Sequence, residues 1–111
     1  MTAPIAGVME TILNGVTSAQ AGTIYQARPL NRAFQAIVNG SGAVSATVLI
    51  EVSNDGINFA TRSTLSLSGT TGYASQAYVD TLSPFPFVRG SLTAISGAGA
   101  AATLTMAGSN P

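Results

Sequence analysis

The chain has 111 residues, four arginines balanced by four acids, and no Cys, His, Trp or Lys. That inventory excludes thiolate and imidazole catalysis and the usual zinc sites. Zero net charge leaves no electrostatic footprint for nucleic acid or anionic lipid, so neither is expected as a partner.

In chain order, residues 1–20 read as an arm punctuated by Pro4, Gly7 and Gly15. Ile5, Val8, Met9, Ile12 and Leu13 are its apolar anchors, with Val16 beyond them. Val8, Ile12 and Val16 fit an i, i+4 stripe, which allows one or two helical turns over 8–14. So apolar an arm must be docked, either on its own domain as a short helix or first strand, or on a neighbour. No basic n-region or apolar h-region opens the chain, so a secretory leader is not expected.

From there the pattern is β. A weak strand over 23–27 stops at Pro29, and a second, 34–38, is closed by Asn39-Gly40-Ser41-Gly42. The clearest strand is 46–53, with Val48, Ile50 and Val52 on one face and Thr47, Glu51 and Ser53 on the other. Asn54-Asp55-Gly56 makes a hairpin turn, and the return strand covers 59–67. A further strand over 73–79 leads into a proline-rich crossing at 82–86. The last strands, 87–95 and 101–107, are separated by Ser96-Gly97-Ala98-Gly99. Turn signals about every ten residues predict an all-β fold, a small antiparallel β-sandwich of jelly-roll or Greek-key type. The expected organisation is an arm at 1–20, a sandwich domain at 21–108 and a short tail at 109–111.

Charged residues are 7% of the chain, against about 25% in a typical soluble domain. Such a surface repels its neighbours weakly, which favours life in an assembly; a surface domain of low charge for other reasons is the alternative. Catalytic and metal-binding residues are not expected. The acids do not face one another as a hydrolytic pair, a serine nucleophile would lack a base, and one carboxylate at Asp55 falls short of a calcium loop. Arg28 and Arg32 flank a loop, and with so few charges each should be paired within the chain or across a contact. Arg89 is placed to pair with Glu51 on a neighbouring strand.

The run Ile50-Glu-Val-Ser-Asn-Asp-Gly-Ile-Asn-Phe-Ala60, with Tyr78-Val-Asp80 and Phe87-Val-Arg-Gly-Ser-Leu-Thr-Ala-Ile95, resembles small virion proteins of tailed phages. Together with the length and low charge, it is similar to the capsid decoration (cement or staple) proteins of the epsilon-type short-tailed phages of Salmonella. The resemblance covers about 46–107. It implies a jelly-roll domain on the capsid exterior, a homodimer near two-fold axes, clamping copies of the major capsid protein, with no cofactor and no catalytic residues. Ile5, Val8, Met9, Ile12, Leu13, Arg28 and Arg32 are then the candidate partner contacts. The hairpin motif also occurs in carbohydrate-binding jelly rolls, so a glycan- or receptor-binding module of a head or tail fibre is the alternative, with Tyr25, Tyr73 or Tyr78 as its aromatics. A subunit completed by strand addition shares the low charge and the arm, but would normally carry a signal peptide.

Overall fold

The computed structural model describes residues 9–26 and 30–109. These form seven strands: β1 (Met9–Val16), β2 (Gln20–Ala21), β3 (Tyr25–Gln26), β4 (Asn31–Ser53), β5 (Ala60–Gly69), β6 (Tyr73–Asp80) and β7 (Phe87–Ser109). All pairings are antiparallel, and β7 and β4 are the central pair, with β1 outside β7 and β5 outside β4.

The all-β antiparallel fold is the one the turn spacing predicts. What the spacing does not reveal is that β4 and β7 are each 23 residues long. The glycine clusters at 39–42 and 96–99 do not reverse the chain. They lie beside each other, with Ser41 opposite Ala98 and Ser45 opposite Ser96 across shifted register. Gly42, Gly97 and Gly99 adopt positive φ of 68°, 120° and 64°, which lets two paired strands turn a corner together without ending their ladder.

Each half of the bent pair becomes the centre of one layer. The first half of β4 and the second half of β7 carry β6 and β1 at their sides. The other halves carry β5 on one side and the short β2 and β3 on the other. Inward residues from both layers form one core, including Phe34, Ala36, Val38, Val48 and Ile50 of β4, Leu65 of β5, and Val88, Leu92 and Leu104 of β7. Gly90 marks a close approach of the layers: a Cβ there would run into the Leu104 side chain of the opposite layer and lie 3.3 Å from Ile12 Cγ2. Gly90→Val should therefore force the layers apart and cost about 1–3 kcal/mol, read as a lower denaturation midpoint with unchanged slope.

Candidate interaction surfaces

Ile12 and Leu13 are 4% and 1% exposed and belong to the core. They are not presented to a partner. Register shifts on either side of Leu13 make β1 a bulged strand, and a bulge breaks the in–out alternation so that consecutive side chains turn inward. The same bulges produce the spacing that reads as a helical stripe; residues 9–16 are a strand of the sheet. Met9 stands opposite Ala107 at the start of β1. Ile5, Val8 and Arg28 lie outside the described residues.

Arg32 is not in a loop either. It occupies an inward position near the start of β4, 2% exposed, directly opposite Asp80 of β6. Its guanidinium donates to Ser83 Oγ at 3.2 Å and to the Phe85 carbonyl. Burial pulls its pKa below the usual arginine value, and the charge of Asp80 pushes the other way. Asp80 also accepts from Arg62 of β5, at 3.1 Å from Nη2, and Arg62 lies 5.9 Å from the Phe85 ring centre. The hydrogen bonds and charge of Asp80 raise the Arg62 pKa. Since β5 and β6 belong to different layers, this cluster ties the two together at their rim. Among the described residues no buried side-chain nitrogen or oxygen lacks a partner. Beside the cluster, Gln26, Leu30, Arg32, Ser83 and Phe85 line a cleft of about 340 Å³ with two prolines.

Arg89 pairs with Glu51 as its strand phase predicts. The two are opposite in register, with Nε donating to Oε1 at 3.0 Å, and Arg89 stacks 4.2 Å from the centre of the Phe59 ring. Asp55 is engaged in its own turn, accepting from the backbone of Ile57 and Asn58, from Asn58 Nδ2 and from Ser53 Oγ. Those donors, the Asn58 backbone amide first, hold its carboxyl far below the ordinary range.

With these charges closed upon one another, the outer face of the first layer is neutral. On three of its strands the described positions are Ala33, Gln35, Ile37 and Asn39 of β4, their partners Tyr73, Ser75, Ala77 and Val79 of β6, and Ala101, Thr103, Thr105 and Ala107 of β7, with Thr11 of β1 beside Thr105. A shallow groove of about 410 Å³ crosses it over Ala33, Gln35, Ala77 and Thr105. The period-two pattern of 33–39 carries this face, but its partner strands are not apparent from local sequence. Of the candidate sugar-binding aromatics, Tyr25 is half-buried with its hydroxyl donating to the Thr11 carbonyl at 3.0 Å. Tyr78 stacks on Phe34, and Tyr73, 52% exposed, projects from the opposite face of β6. The three do not form one platform.

Among solved structures the chain is similar to the SPBc2 prophage-derived protein YomS, at TM-score 0.60 and 11% identity, with 96% of each chain covered. It is also similar to the PBSX exported protein XepA, at TM-score 0.60 and 14% identity, all of this chain matching 40% of that one. No protein-family model and no curated protein matches the sequence.

Two outcomes test the site geometry. Asp80→Asn should cost about 3–5 kcal/mol, because it leaves the buried Arg32 without its compensating charge; chemical denaturation measures it. The turn at Asp55 is testable by pH. Because the folded carboxyl titrates below the unfolded value of about 3.9, its contribution is complete above that pH and is lost as pH falls toward the folded value. The stability gap between wild type and Asp55→Asn should therefore be constant near neutrality and narrow below about pH 4, followed by thermal unfolding at a series of pH values.

Proposed function

We propose that this chain is a non-enzymatic structural protein of a phage virion, which binds the outside of an icosahedral capsid as a homodimer and clamps neighbouring major capsid subunits against the pressure of packaged DNA. The observation that carries the reading is a neutral sheet face on a chain whose described arginines bond within the molecule. A surface of that kind packs beside many copies of itself without long-range repulsion. Contacts repeated around a shell act multivalently, so each can be modest. Two phage-derived proteins share the fold, and the Ser53-Asn54-Asp55-Gly56 hairpin adds the motif resemblance. A glycan-binding module finds less support, because the tyrosines it requires are dispersed.

The test is co-sedimentation with capsids of the suspected phage type that lack this protein. Saturable binding at a fixed ratio to the major capsid protein is the expected result; absence of binding by the folded chain overturns the clamp. Ile12 and Leu13 are core residues, so deleting 1–16 would dismantle the sheet. Deleting residues 1–8 leaves β1 whole and removes Ile5 and Val8. The circular dichroism of the truncated chain should be unchanged while its capsid affinity falls on the order of tenfold or more, equivalent to losing one or two apolar anchors.

A further inference from the structure

We propose that two copies of this chain associate through the free edge of β6, paired antiparallel about a two-fold axis at Gln76, so that Tyr73 of each copy stands opposite Val79 of the other. This deepens the dimer of the proposed clamp by naming its surface, and its test needs no capsid.

The pairing of β6 with β4 runs from Arg32–Asp80 to Asn39–Tyr73 without a register shift. One residue further on, the Gly40 amide donates to the Gly72 carbonyl at 3.0 Å, so these two form a hydrogen-bonded pair. Antiparallel ladders alternate bonded and non-bonded pairs. The bonded ones are therefore Val38–Ala74, Ala36–Gln76, Phe34–Tyr78 and Arg32–Asp80. It follows that the amides and carbonyls of Tyr73, Ser75, Ala77 and Val79 point away from β4. Among the described residues no strand pairs with β6 on that side; β5 approaches it only where Gly69 packs on the Tyr73 carbonyl.

The other long edges are guarded. On β1 the Thr11 and Ile12 carbonyls accept from Tyr25 Oη and the Thr23 amide, and register shifts interrupt the strand. The pairing of β5 is broken by a bulge at Ile50/Glu51, and β5 carries none of the large exposed apolar side chains. By contrast β6 is regular, without lysine, proline or bulge, the devices that blunt an edge. Tyr73 and Val79 on it are 52% and 63% exposed.

Tyr73 and Val79 are equidistant from Gln76, so the edge is self-complementary. Turned about Gln76, Tyr73 meets the partner's Val79 and Ser75 meets the partner's Ala77. The outward amides and carbonyls of Ser75 and Ala77, the Tyr73 amide and the Val79 carbonyl then find mates, while the Tyr73 carbonyl packs on Gly69 of its own chain, and an aromatic meets a β-branched side chain at each end. Opposed residues lie on the same side of the sheet, so the neutral outer face runs unbroken across both copies. Asp80 faces inward on Arg62, so no like charges meet.

Sedimentation equilibrium of the full chain tests this. Wild type should be dimeric. Val79→Lys sets an ammonium against Tyr73 at both ends and should weaken the dimer on the order of tenfold or more. The double variant Tyr73→Glu/Val79→Lys places opposite charges face to face and should recover what the single variant loses. Ala77→Pro removes an outward amide without touching the β4 ladder and should yield a monomer with unchanged circular dichroism. Monomeric wild type, or a dimer indifferent to Val79→Lys, overturns the interface; no recovery in the double variant overturns its register. A dimer with these responses that fails to bind capsids separates the fate of the interface from that of the clamp.

Discussion

The structure depends on one constraint, that β4 and β7 bend at the same place. A strand that turns a corner alone loses its neighbour, and its backbone groups go unpaired. Here both strands carry glycine at the corner, and the pairing resumes on the far side with only a shift in register. At two of these glycines there is no room for a side chain: a Cβ on Gly97 would lie 2.6 Å from the Ala43 carbonyl oxygen, and one on Gly40 2.9 Å from that of Ala98. Because one ladder serves both layers, the register of one layer fixes that of the other, and the inward residues of each meet in a single core.

The bend determines where polar groups must go. Folding a sheet on itself brings β5 and β6 together at one rim, each with an edge and neither bonded into the other's layer. Arg62, Asp80 and Arg32 occupy that junction, with Ser83 and the Phe85 carbonyl completing their hydrogen bonds. Hydrophobic contact alone is tolerant of sliding; a buried carboxylate between two arginines is not, since displacement by one residue would strand a charge. On the opposite side of the sandwich the Gly22 amide donates to the Gly90 carbonyl at 2.7 Å and the Thr23 amide to that of Ile12. These backbone bonds, with the Tyr25 hydroxyl on the Thr11 carbonyl, close that rim.

The strands that read clearly from sequence are those with undisturbed alternation. Val48, Ile50 and Val52 announce their face, and the phase that turns them inward sends Glu51 outward to Arg89. The failures share one cause, that the deciding partner is distant in the chain. Asn39-Gly40-Ser41-Gly42 has the local chemistry of a reversal, and whether it reverses or bends rests on a second glycine cluster more than fifty residues away. Ile12 and Leu13 imitate a helical stripe because a bulge places both inward against β7. Arg32 follows the proline of an expected loop, yet the strand has begun by Asn31, and its burial is explained by distant partners, Asp80, Ser83 and the Phe85 carbonyl. Fold class was thus legible from the spacing of turns, whereas the candidate surface was not, since it is assembled from β4, β6 and β7 across the sheet.

With 7% charged residues and no lysine, the chain cannot keep its edges apart by charge, the commonest protection of exposed strands. It relies on geometry: bulges in β1, a tyrosine hydroxyl on the Thr11 carbonyl, and a broken register beside β5. Each device costs regular pairing, and each appears where a strand must end the sheet. On β6 none is present, and the same strand has a charge-free outer face. A regular, neutral edge is a template for association, because its amides and carbonyls pair with any extended chain that offers the complementary groups. Low charge therefore has a structural consequence beyond solubility: it shifts the control of association from electrostatics, which salt screens, to strand geometry, which salt does not.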